Sequence, residues 1–77
     1  MTEIAITWVD NDGMNLSGHC PTAPNALAII IPALWGKVVL RIFSHGDLKL
    51  ERQLPDVTAA KEAAAMAMRL LVIREGT

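Results

Sequence analysis

Two apolar alternations flanking a glycine-containing turn constrain this chain more than any other feature. Val38, Leu40 and Ile42 recur at every second position, and Leu48, Leu50 and Leu54 do so again, with Arg52 interrupting. A period of two is the signature of strands with one buried face. A loop of His45-Gly46-Asp47 aligns the two faces, pairing Ile42 with Leu50 and Val38 with Leu54. The opposite face then pairs Arg41 with Glu51, an ion pair, and Phe43 with Lys49, a cation–π pair. This predicts a hairpin over residues 37–43 and 48–54. Arg52 falls opposite Leu40 on the apolar face, which suits a strand at a sheet edge. Gly46 stands second in that loop, whereas a three-residue turn wants its glycine third.

The hairpin runs into a helix expected from about Val57 to about Ile73. Pro55 precedes it, Asp56 or Thr58 caps it, and six alanines between Ala59 and Ala67 are strong helix formers. Ala60, Ala63, Ala64, Ala67, Leu70 and Leu71 form one stripe, small enough for the helix to lie close on a sheet. Thr58, Lys61, Glu62 and Arg69 mark its wet side, flanked by Met66 and Ile73. Val72 and Ile73 could instead begin a final short strand.

The N-terminal half adds further strands. Ile4, Ile6 and Trp8 alternate with Ala5, Thr7 and Val9, so residues 3–10 read as a strand. Asn11-Asp12-Gly13 then reads as a three-residue loop with glycine at its left-handed position. That loop sets Asp10 opposite Met14, Trp8 opposite Leu16 and Ile6 opposite Gly18. Residues 20–25 hold two prolines and an asparagine and read as a loop. Residues 26–31, with three consecutive isoleucines, read as a buried strand in preference to a helical turn opening at Asn25. Pro32 ends that strand and Gly36 closes the turn after it. The expected architecture is one α+β domain over residues 1–77. It is an antiparallel four- to five-stranded sheet with a single C-terminal helix packed on one face.

Composition bounds the function. Of 77 residues, 52% are hydrophobic and 19% charged, and net charge is −1. That excludes intrinsic disorder and any nucleic-acid binder held by bulk positive charge. A chain this short cannot bury so many apolar side chains in its own core, so a homodimer or a protein partner is expected. The single cysteine, Cys20, allows no intrachain disulfide, and the start of the chain lacks a basic region followed by a long apolar run. Both point to a cytoplasmic protein with no membrane association. Residues 1–36 carry Glu3, Asp10 and Asp12 and no Lys or Arg, whereas residues 37–77 carry seven basic and five acidic side chains.

No catalytic or metal-binding constellation is legible. Asp10-Asn11-Asp12-Gly13 starts like a calcium loop, but its twelfth position is Pro21 where a glutamate is required. His19, Cys20 and His45 lack the paired spacing of a structural zinc site. His19 and Cys20, adjacent on extended backbone, point opposite ways. Ser44-His45-Gly46-Asp47 holds three triad residue types within one turn, which cannot converge. The expectation is a protein that is not an enzyme and needs no cofactor. The candidate binding surface is the outer hairpin face, with Lys37, Arg41, Phe43 and Lys49, and Trp35 as an anchor. Met66 and Ile73 are candidates for self-association. A rival reading makes Lys37, Arg41, Lys49 and Phe43 a nucleic-acid platform, and another makes the chain an antitoxin-like structural dimer.

One resemblance extends this reading. The strand, the Gly-Asp turn, the second strand and the alanine-rich helix with Ala-Ala-Lys and Met-Ala-Met resemble small phage-encoded anti-CRISPR proteins of type I systems. The resemblance covers about residues 37–71, and no functional residue of that family carries over. It implies a non-catalytic inhibitor that binds a CRISPR effector subunit in the host cytoplasm and blocks DNA recognition or nuclease recruitment.

Overall fold

Five strands follow one another across a single antiparallel sheet in chain order, a meander in which each strand pairs with its sequence neighbours. They are β1 (Thr7–Asp10), β2 (Leu16–Cys20), β3 (Ala23–Pro32), β4 (Val38–Ser44) and β5 (Asp47–Leu54). A helix, α1 (Val57–Glu75), then crosses back over β3 and β4. This computed structural model describes the backbone of residues 5–75 and the side chains of residues 5–71. The α+β architecture is the one the alternation and the alanine-rich segment predict.

The helix covers one face. Ala28, Leu40, Ala60, Ala64 and Met68 are fully enclosed, and Ile30, Val38 and Ile42 complete the layer between sheet and helix. Asp56 is the N-cap, accepting the Ala59 amide hydrogen at 2.8 Å through Oδ1. The stripe differs from expectation at two positions. Met68 is buried and Leu70 is 61% exposed, because the helix turns its Ala60–Ala64–Met68 line to the sheet. The helix continues through Glu75, so Val72 and Ile73 form no strand.

The β4–β5 hairpin keeps the expected pairs Val38 with Leu54, Leu40 with Arg52, Arg41 with Glu51 and Ile42 with Leu50. Its turn differs. His45 and Gly46 both have positive φ, at 52° and 83°, the combination a two-residue type I′ turn demands. That explains why glycine stands second. Asp47 then pairs with Ser44 and Leu48 with Phe43, leaving Lys49 as the extra residue of a bulge. The expected Phe43–Lys49 pair is therefore not formed. The cation over an aromatic ring is instead Lys61, whose Nζ lies 5.9 Å from the Trp8 ring centroid.

The first hairpin is shifted by two residues from the expected register, setting Trp8 opposite Gly18 and Asp10 opposite Leu16. An even shift keeps every side chain on its face. The reason lies at both ends. Gly18 leaves room for the indole: a Cβ there would sit 2.7 Å from Cζ3 of Trp8 and 2.8 Å from Cγ2 of Ile6. At the tip, the Asn11 side-chain amide donates to Asn15 Oδ1 and Ser17 Oγ, and the Gly13 amide donates to Asp10 Oδ1. These bonds hold a wider loop than three residues, with Gly13 at φ 74°.

Residues 20–25 are more ordered than a loop. Pro21 and Thr22 turn the chain, and β3 begins at Ala23 opposite Cys20. The register then slips, so that Pro24 to Leu27 lie against His19 alone before Ala28 meets Gly18. Pro24 falls in this irregular stretch, where no ladder hydrogen bond is required of it. Residues 26–31 are strand, as the isoleucines indicate.

Candidate protein-binding surfaces

Two surfaces stand out, one at a loop tip and one on the sheet. The tip is the β3–β4 connection, closed by the Ala33 amide donating to the Lys37 carbonyl at 2.8 Å. Leu34–Gly36 forms a short 3-10 turn within it. Trp35 has φ 63° and ψ 31°, a left-handed conformation that costs a residue with a Cβ about 1 kcal/mol or more. Its side chain is 90% exposed and that of Leu34 76% exposed. One of the protein's two tryptophans thus sits in strained backbone and is left almost wholly exposed by the described residues. Beneath the same end lies an apolar cleft of about 210 Å³, lined by Leu16, Ile30, Pro32, Val38 and Val57 together with Asp10, Gly13 and Asn15.

The second surface is the sheet face away from the helix. Leu27, Ile29 and Ile31 of β3 and Val39 and Phe43 of β4 alternate with the buried residues of those strands and remain half-buried. Val9 and Leu48 extend the face at about half exposure, 48% and 50%. Arg41 and Glu51 are its ion pair, Nε to Oε2 at 2.6 Å, with both side chains nearly half exposed. Such a pair contributes about 0–1 kcal/mol to stability. Its larger effect is to leave the surface electrically neutral there.

The candidate residues therefore divide. Arg41 and Phe43 share the outer face, Trp35 and the exposed Lys37 belong to the tip, and Lys49 is exposed at the bulge. Met66 is 69% exposed on the outer side of α1, next to exposed Leu70 one turn on; the Ile73 side chain lies outside the described residues. Leu34, Leu27, Ile29 and Ile31 were not singled out from the sequence. For the three β3 residues the signal is present, since a strand apolar at consecutive positions is apolar on both faces.

The polar candidates do not converge. Ser44 is buried at 1% exposure on the helix side, while His45 and Asp47 are exposed. His19 is exposed and Cys20 buried, with Cys20 Sγ 3.0 Å from Thr22 Oγ1. Among the described residues, no group of three or more His, Cys, Asp or Glu could hold a metal ion. No helix among them is long and apolar enough to cross a membrane. No family model, curated protein or solved structure gives a significant match to this chain.

Proposed function

We propose that this protein acts by binding another protein, without catalysis, and that the Leu34–Trp35 tip is its anchor. The observation that carries this reading is Trp35, 90% exposed at positive φ. Glycine would fill that backbone position without strain, and tryptophan there gains nothing from its own fold. Strain held at an exposed aromatic is accounted for by what the aromatic touches in a complex, and tryptophan leads the residues that dominate binding energy. The apolar cleft at the same end, lined by Pro32 and Val38 at the two roots of this loop, offers a partner side chain a seat.

The concrete target is the one implied by the resemblance of residues 37–71: a type I CRISPR effector subunit, inhibited by occlusion. The nucleic-acid reading has less support, because Arg41 is held by Glu51 and Phe43 is bordered by Leu48 and Leu27. A stacking and phosphate platform needs free cations among its rings.

Trp35→Gly tests the anchor. Relief of the left-handed strain should stabilise the fold by about 1 kcal/mol, read as a higher denaturation midpoint. The same variant should lose inhibition in a CRISPR interference assay in cells. Full inhibition by folded Trp35→Gly removes the anchor. A parent that inhibits no type I system removes the CRISPR target.

A further inference from the structure

We propose that the outer face of the sheet is covered by a second copy of this chain, giving a two-fold dimer whose sheets pack face to face. This is independent of the Trp35 reading, because the two rest on different residues: the tip joins β3 to β4 at the end of the sheet, and the proposed interface is built from outward side chains of the strands themselves.

The first argument is chemical. An antiparallel sheet with one solvated face alternates apolar and polar residues, whereas β3 presents Leu27, Ile29 and Ile31 outward between buried Ala26, Ala28 and Ile30. Val39 and Phe43 lie beside them, paired with Ile31 and Leu27. The strand is written for burial on both faces, and α1 supplies only one cover.

Charge selects the occupant. Arg41 and Glu51 already satisfy one another at 2.6 Å, so the face carries no net charge at its centre. A strongly acidic or basic partner would meet no net charge at the centre of this face. A copy of the same face brings its own neutralised pair and leaves no buried charge unmatched, which is the condition for burying ions without a large penalty.

The area is sufficient. Five strands about 4.8 Å apart and about seven residues long, at about 3.4 Å per residue, give a face of roughly 500 Å² before side-chain relief. Covering it on both copies removes about 1,000 Å² or more from water, the level a specific interface must clear. The rival seats are poorer. On the helix, Met66 and Leu70 are the described large apolar side chains that stand mostly clear of the sheet. The β5 edge carries Lys49, Glu51 and Arg52 and a bulge, features that discourage edge pairing.

Ile29 is the middle outward residue of the middle strand, so a two-fold axis through the face brings the two Ile29 side chains together. Sedimentation equilibrium of the full chain tests this. The parent should show twice the 8.3 kDa chain mass at micromolar concentration. Ile29→Glu and Ile29→Lys should each sediment as single chains with the parent's circular dichroism, and mixing them should restore the doubled mass. If either fails to fold, the Ile31→Gln/Val39→Gln double variant is read in its place and should dissociate. A parent that remains a single chain at high micromolar concentration overturns the proposal. So do folded face variants that keep the doubled mass, and so does dissociation confined to Met66→Glu. Trp35→Gly should leave the mass unchanged, which keeps this result separate from the fate of the anchor.

Discussion

Under the helix, the sheet presents Gly18, Ala26 and Ala28 around Ile30, Leu40 and Ile42; on its other side the same strands present Leu27, Ile29, Ile31, Val39 and Phe43. The difference in size follows the covering layer. A helix facing down through Ala60 and Ala64 comes close to β3, where small Ala26 and Ala28 receive it, while Val38, Leu40 and Ile42 fill the layer over β4. On the outer side no other described element packs on the sheet, and Ile29, Ile31 and Val39 share the face with Leu27 and Phe43. One face is a completed core, and on the other an apolar strip of β3 and β4 stays half-buried beside the Arg41–Glu51 pair. Consecutive apolar residues on β3 therefore mark a strand apolar on both faces, and the small Ala26 and Ala28 mark the side that the helix covers.

This contrast is sharp between Leu40 on β4 and Ile31 on the adjoining strand β3. Leu40 is fully enclosed, so Leu40→Ala should cost about 3 kcal/mol in chemical denaturation at every protein concentration. Ile31→Ala, on the outer face, should cost under about 1 kcal/mol in dilute solution and more where copies pair. Equal, concentration-independent losses would erase the distinction between the faces. Gly18→Ala probes the edge of the inner layer. Its Cβ would meet the Trp8 ring at 2.7 Å, and displacing the indole from beneath Lys61 should cost about 1–3 kcal/mol. A neutral result would mean the ring is not seated on the glycine. Glu51→Gln is the smallest effect. Loss of an exposed ion pair should cost under about 1 kcal/mol, and a larger loss would mean the Arg41–Glu51 pair is already shielded in the free protein.

How much of this was legible depended on the range of the interaction. The sheet-plus-helix architecture and most of the β4–β5 register follow from local alternation, and capping chemistry narrows the N-cap to Asp56 or Thr58, of which Asp56 is the one used. Turn geometry was harder. The His45-Gly46 turn needs positive φ at a histidine, and nothing about that residue announces it. The β1–β2 register depends on a glycine accepting a tryptophan across the sheet, a long-range fit with no local sign. Met68 in place of Leu70 is a rotation of about one residue around α1, beyond what an alanine-rich stripe can fix. At the candidate surfaces, Arg41 and Phe43 were found by alternation. The meaning of Trp35 rests on its backbone angle, which only the structure supplies.

The central claim is that the outer face is an interface, and thermal unfolding followed against protein concentration tests it most directly. Covering that face with a second copy couples folding to association, so the unfolding midpoint should rise by about 4 °C for each tenfold increase in concentration. Ile29→Glu should flatten that dependence while keeping a cooperative transition. A parent midpoint that does not move with concentration would contradict the account.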